Sequence, residues 1–114
     1  MRPSPEQLDA TYAALSHPKR RSMLESLSFR PETVGSLAKE HGVSLPAMHK
    51  HVRILEESGL ILRKKVGRTN FVAISRVSLR QAQDWLSQFN SHWGTDDETL
   101  ENHINRLSKH HPQG

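Results

Sequence analysis

Two short helical signatures separated by a glycine constrain this chain more than any other feature. Residues 34–63 read VGSLAKEHGVSLPAMHKHVRILEESGLILR. The first eight form an amphipathic segment that stops at Gly42, a residue type that ends helices because it enters the left-handed region without steric penalty. Val43 follows, and Ser44 then offers a hydroxyl acceptor to the orphan amides of a second helix. Ser58-Gly59 is another stop, after which Leu60-Ile61-Leu62 opens a β-prone run. Helix, tight turn, helix and basic strand is the order in which a small domain offers one helix to the major groove of a duplex.

The flanks predict an α-rich frame. Residues 6–15 place Leu8, Tyr12 and Leu15 on one helical face. Ser16-His17-Pro18 breaks that helix, and Pro18 suits the first turn of the next, which turns Met23, Leu24 and Leu27 inward and ends before Pro31. Thr33 caps a third helix over residues 34–41. In the fourth, opened by Ser44, the residues Ala47, Met48, His51, Val52, Ile54 and Leu55 recur at helical spacing and form the core face. Leu45, Pro46, His49, Lys50 and Arg53 lie opposite. Residues 60–65 and 69–74 read as the strands of a β-hairpin with Gly67 at its tip.

From Ser78 the pattern is helical again. Leu79, Leu86, Trp93, Leu100 and Leu107 repeat every seven residues, with Ala82, Phe89 and Ile104 beside them. Such a seam wants a partner helix. Thr95-Asp96-Asp97-Glu98 is a capping box, which predicts a fresh helix near Asp96 and hence two helices sharing one face. The expected fold is mainly α with a small β-hairpin: a dimeric winged helix-turn-helix of five to six helices plus a two-stranded wing. Residues 1–114 form a single domain in this reading, with head and wing over 6–75 and dimerisation helices over 78–109.

Charge follows the same division. The 114 residues carry a net +4, but residues 1–75 hold 12 Lys or Arg against 7 Asp or Glu, whereas residues 76–114 hold 4 against 5. The basic excess sits with the head, which favours a polyanionic partner there. The absence of cysteine excludes disulfides, thiolate zinc sites and thiol redox sensing. The start, Met1-Arg2-Pro3-Ser4-Pro5-Glu6, is too polar for a signal peptide, and the longest strictly aliphatic run is three residues. The expected address is cytoplasmic, with no membrane partner.

Direct readout of double-stranded DNA needs side chains that reach base edges from the first turns of the reading helix. Ser44, Leu45, Pro46, His49 and Lys50 occupy those turns. Ser44 can cap the helix and meet a phosphate, Leu45 and Pro46 can touch thymine methyls, and His49 and Lys50 can donate to purine acceptors. Arg53, one turn on, is placed for a phosphate. Four of the six residues 63–68 are basic, Arg63, Lys64, Lys65 and Arg68, and no acid lies among them. Lys65 and Arg68 are the expected wing contacts, Arg68 in a narrow minor groove. Lys19-Arg20-Arg21 opens a helix with positive charge, which costs tenths of a kcal/mol up to about 1. That run is either a phosphate contact or plain surface charge. His51 faces the core side and reads as a packing residue.

Eight histidines invite a metal reading. His92 and His103 lie eleven apart, but a four-ligand site across two such helices wants a carboxylate where Asn90 stands and His or Glu where Arg106 stands. Asn is a poor zinc ligand and Arg is none. The expectation is no metal and no cofactor, with a metal-responsive version using His92 and His103 as the alternative. There is no phosphate loop, GxSxG, HExxH or cysteine nucleophile, so no enzyme is expected.

Leu15-Ser16-His17-Pro18-Lys19-Arg20-Arg21-Ser22-Met23-Leu24, then Val34-Gly35-Ser36-Leu37-Ala38, then Val43 through Leu55, Ser58-Gly59-Leu60-Ile61 and Gly67-Arg68 form an ordered series. Across about residues 8–93 it resembles the ArsR/SmtB family of winged helix-turn-helix regulators. The resemblance implies a homodimeric repressor on an inverted-repeat operator, with the helix from Ser44 as recognition helix and the hairpin around Gly67-Arg68 as wing. It also implies a dimer formed through the first helix, with Leu8 and Tyr12, and the helix from Leu79, with Leu86, Phe89 and Trp93. The Trp85, Phe89 and Trp93 pattern is similar to members that lack a metal site. Leu45 stands where the family usually has a polar residue such as Gln, and His49 where Ser is common, so no operator sequence carries over. The cysteine pair of the arsenic, cadmium and lead sensors is missing, and the paired carboxylate-and-histidine zinc site is incomplete. A rival reading is a winged-helix protein-interaction module whose basic wing grips an acidic partner. The sequence names no small-molecule or metal effector.

Overall fold

In a computed structural model that describes residues 2–90 and 96–110, the elements run α1 (Pro5–Leu15), α2 (Pro18–Leu27), β1 (Glu32–Thr33), α3 (Val34–His41), α4 (Leu45–Glu57), β2 (Ile61–Val66), β3 (Thr69–Ile74), α5 (Arg76–Ser87) and α6 (Asp96–His110). The helices and the hairpin are those the sequence predicts, and the sheet gains a third strand. β1 pairs antiparallel with β3, Glu32 opposite Val72 and Thr33 opposite Phe71, giving the order β1-β3-β2. Two residues are too few to carry a strand periodicity of their own. The pairing with β3 specifies them, and it fixes the point at which the chain enters α3.

Each helix of the head begins on a side-chain acceptor. Ser4 Oγ accepts from the Gln7 amide at 3.1 Å, Thr33 Oγ1 from Ser36 at 3.0 Å and Ser44 Oγ from Ala47 at 3.3 Å. His17 does the same for α2, its Nδ1 accepting from the Lys19 amide at 3.1 Å. α3 ends on Gly42 at φ 64°, with the Val43 amide returning to the Ala38 carbonyl at 3.1 Å. This 6→1 bond turns the chain sharply enough for α4 to start two residues later.

The chain forms two compact units, Met1–Asp84 and Trp85–Gly114. The first holds the core: Met23 and Leu27 from α2, Leu37 from α3, Met48, Val52 and Leu55 from α4, Leu60, Ile61 and Val72 from the sheet region, all essentially inaccessible. Met48, Val52 and Leu55 are spaced 4 and 3 apart, which puts them on one stripe of α4. Each such buried side chain contributes about 1.5–3 kcal/mol, so α4 is anchored by its inner face while its outer face stays in water. In the second unit the Trp85 and Phe89 rings meet edge to face, centroids 4.9 Å apart, and α6 exposes Leu100, Ile104 and Leu107.

Candidate nucleic-acid interface

The outer face of α4 is built as the spacing predicts. Ser44, Leu45, Pro46, Lys50 and Arg53 are exposed, while His49 is half-buried. Leu45 is 49% exposed, high for a leucine on a helix whose other aliphatic residues pack inward. Ser44 spends its acceptor on the Ala47 amide and keeps its hydroxyl hydrogen for another partner.

The wing differs from the expectation in one respect. Gly67-Arg68 forms a two-residue loop between Val66 and Thr69, and positive φ at Gly67 with none at Arg68 is the II′ pattern that suits hairpin twist. Lys64, Lys65 and Arg68 are exposed. Arg63 is not part of this free set: its guanidinium donates to Glu56 Oε1 at 2.8 Å, tying the strand to the end of α4. Lys64 lies opposite Phe71, and Lys65 opposite Asn70, so the free cations point from both faces of the hairpin.

Lys19-Arg20-Arg21 is more than plain surface charge, because each of its side chains is tied to a backbone carbonyl. Arg20 Nε donates to the Ala14 carbonyl at 2.7 Å and its second nitrogen to Ala13 at 3.3 Å. Arg21 donates to Leu15 at 2.8 Å, and Lys19 Nζ to the His41 carbonyl at 2.9 Å. These acceptors end α1 and α3, where the helix dipole is negative. The charges that are unfavourable at the start of their own helix are favourable at the ends of two others. Burial lowers the Arg20 pKa from its ordinary value.

His51 is half-buried, as expected of a packing residue. Its ring lies 4.9 Å from that of His17 at 59°, and its Nδ1 is 3.4 Å from an Arg20 nitrogen. Burial, followed by the charges of His17, Arg20, Lys50 and Lys19, lowers its pKa from the usual imidazole value. The roles of His17 and Arg20 escaped the sequence reading. The signal was His17 immediately before Pro18, which is the N-cap position.

The residues assigned to a dimer surface are placed unevenly. Leu8 and Tyr12 are half-buried, and the Tyr12 hydroxyl donates to the Ala82 carbonyl at 2.9 Å, joining α1 to α5. Leu79 packs against its own core, so it opens the seven-residue ladder from inside the head. Leu86 and Phe89 are 54% and 66% exposed. Trp93 lies outside the described residues, as does His92 of the metal alternative. His103 is exposed on α6. Among the described residues no group of three His, Asp or Glu side chains converges on a metal position, and no helix is long and apolar enough to cross a membrane.

A buried three-helix head, an exposed second helix after a glycine turn and a basic hairpin define a winged helix-turn-helix DNA-binding domain. A helix-turn-helix domain model matches residues 15–63. The crystal structure of an ArsR family transcriptional regulator is 40% identical, with 77% of this chain and 91% of that one aligned at a TM-score of 0.72. An ArsR-like transcriptional regulator from Rhodococcus sp. RHA1 is 28% identical, with 91% and 92% covered at 0.75. The transcriptional repressor SdpR of Bacillus subtilis is 24% identical over 82 residues, 72% of this chain and 91% of its own. The chain belongs to the ArsR family of transcriptional regulators.

Proposed function

We propose that this regulator is a homodimeric repressor that binds an inverted-repeat operator in the cytoplasm, reading each half-site with α4. The observation that carries this is the division of α4. Its inner stripe is locked in the core, while Leu45, Pro46, Lys50 and Arg53 stand in water on the same unit as Lys65 and Arg68. An apolar first turn followed by cations suits methyl contact at base edges and phosphate contact beside them. Ser44 and His49 complete the reading face, and residues 6–75 serve as head and wing.

Residues 78–109 serve as the dimerisation segment. Leu86 and Phe89 on or just after α5, and Leu100, Ile104 and Leu107 on α6, are each more than half exposed in a single chain. Apolar side chains repeated at this spacing are stabilised by a second copy. Two copies would set their α4 helices about one DNA turn, roughly 34 Å, apart. Repression is the activity named for SdpR, and a helix and wing held on a promoter would block transcription.

Selection of bound duplexes from a random pool tests the reading. Recovery of a palindrome with half-sites about 10 base pairs apart is expected. Recovery of unrelated sequences, with binding to an acidic protein surface instead, would favour the interaction-module reading.

A further inference from the structure

We propose that the contact between Arg20 and His51 couples protonation of His51 to operator binding, so that the reading helix is seated when that imidazole is neutral and is released in acid. The inference rests on the DNA-reading role of α4 and adds its regulation.

A guanidinium has donors and no acceptor, so the Arg20 nitrogen 3.4 Å from His51 Nδ1 forms a hydrogen bond there only while that atom holds a lone pair. A backbone amide also only donates, so His17 Nδ1 holds a lone pair toward the Lys19 amide at 3.1 Å. A proton arriving at His51 Nδ1 removes the bond from Arg20, places N–H against N–H and sets an imidazolium against Arg20.

Among the described residues, no acidic group is seen to act on that charge. From α2 and its cap, His17, Lys19 and Arg20 act on His51, and from α4 itself Lys50 does; all four are basic. α1 faces the cluster with the carbonyls of Ala13 and Ala14, both already taken by Arg20. Arg20 is thus the shared strut of α1, the start of α2 and the reading helix. His51 lies between Lys50 and Arg53 in sequence, on the opposite side of α4 from the face they present. Displacing His51 moves that face.

The folded-state pKa of His51 is depressed, so the stability held by its neutral form is present above the ordinary imidazole value of 6.5 and is lost as pH falls through the lowered folded value. Substituting His51→Gln preserves an acceptor toward Arg20 and removes the titration. With the full chain at fixed ionic strength, affinity for a duplex recovered from the random pool is measured at about pH 7.5 and about pH 5.5, the window in which imidazoles titrate. The native protein is expected to lose at least about tenfold more affinity across that interval than the His51→Gln variant, a ratio within the usual range for two coupled sites.

Equal pH dependence in the two proteins overturns the proposal and leaves the DNA reading intact. Failure of the native protein to bind any duplex at the higher pH overturns the DNA reading and the proposal with it. Should His51→Gln unfold the chain, the native protein decides by nuclear magnetic resonance. Protonation of His51 that shifts the α4 amides supports the coupling, and protonation that leaves them in place overturns it.

Discussion

The Oγ of Ser78 stands 2.6 Å from the point that a β-carbon on Gly59 would occupy. Gly59 also sits at φ 78°, where the Leu60 amide returns to the Leu55 carbonyl at 2.9 Å and closes α4. The residue that ends the reading helix is therefore also the one against which α5 begins. Gly59→Ala meets two penalties. The left-handed backbone costs about 1–2 kcal/mol in any L-residue, and the Ser78 contact adds to it. Gly67 has nearly the same φ, 63°, and open space around it, so Gly67→Ala isolates the backbone part. Thermal unfolding should rank Gly59→Ala clearly below Gly67→Ala. Equal losses would mean that Ser78 yields freely.

Arg20→Ala is expected to destabilise the head by about 2 kcal/mol, since hydrogen bonds from a charged donor contribute about 1.5–3 kcal/mol. Arg21→Ala, which removes one exposed bond to Leu15, should cost less than about 1 kcal/mol. Arg20→Lys should not restore the loss, because an ammonium cannot span the Ala13, Ala14 and His51 acceptors with one planar fork. Denaturant midpoints of the three variants check the order. A fully stable Arg20→Ala would mean that water replaces the strut.

These two sites mark where sequence reading succeeds and where it stops. Gly42 and Ser44 are local signals: one demands a positive φ and the other supplies an acceptor to its own helix, so the helix-turn-helix was legible, as was the hairpin tip at Gly67, although the strand before it runs one residue further, to Val66. The outward face of α4 followed from period alone. Long-range pairings were not legible. β1 exists because Glu32 and Thr33 find Val72 and Phe71 some forty residues later. Arg63 looked like a free wing cation because its partner Glu56 lies across a turn on another element. Lys19-Arg20-Arg21 looked costly because the carbonyls that hold it belong to α1 and α3. Leu79 fitted the seven-residue ladder, yet periodicity does not say which neighbour a face meets, and its neighbour is the head core.

Glu32 gives a pH signature of the opposite sign to that of His51. Its side chain is 8% exposed, and Oε2 has no hydrogen-bond partner among the described residues. Burial first, then hydrogen bonding and repulsion from Glu40, raise its pKa, against a weaker opposing pull from Arg30. Stability from this group is therefore full below the ordinary value of 4.5 and is lost as pH rises through the raised folded value. Glu32→Gln supplies a permanent donor toward Glu40. A neutral hydrogen bond contributes about 0.5–1.5 kcal/mol, so the variant should melt several degrees above the native protein near neutral pH and show no advantage in acid. A lower melting temperature at both would mean that the Arg30 contact dominates.

Lys50→Ala with Arg53→Ala removes two exposed cations from a helix held by its other face, so binding to the selected duplex should fall about tenfold or more while the unfolding midpoint moves by less than about 0.5 kcal/mol. Arg68→Ala should reduce the slope of log affinity against log salt by about 1 if that guanidinium neutralises one phosphate. Fluorescence anisotropy across a salt series reads both effects. A pair of variants with native affinity and native slope would place the DNA elsewhere on the head.

Leu86→Glu with Phe89→Glu tests the seam without disturbing the head. Both side chains are more than half exposed in one chain and lie in the second compact unit, so a monomer gains solubility and gives up the ring contact of Phe89 with Trp85. In a dimer the same positions would face a partner across an apolar stripe, where an uncompensated buried carboxylate costs several kcal/mol. Sedimentation should shift the variant to the mass of one chain with the unfolding of its head retained. Its affinity for a single half-site should approach that of the native chain, whereas affinity for the full palindrome should collapse toward that value, because the second helix no longer arrives tethered to the first. A variant that remains dimeric would move the interface off these residues and onto α1, where Leu8 and Tyr12 keep only part of their surface in water.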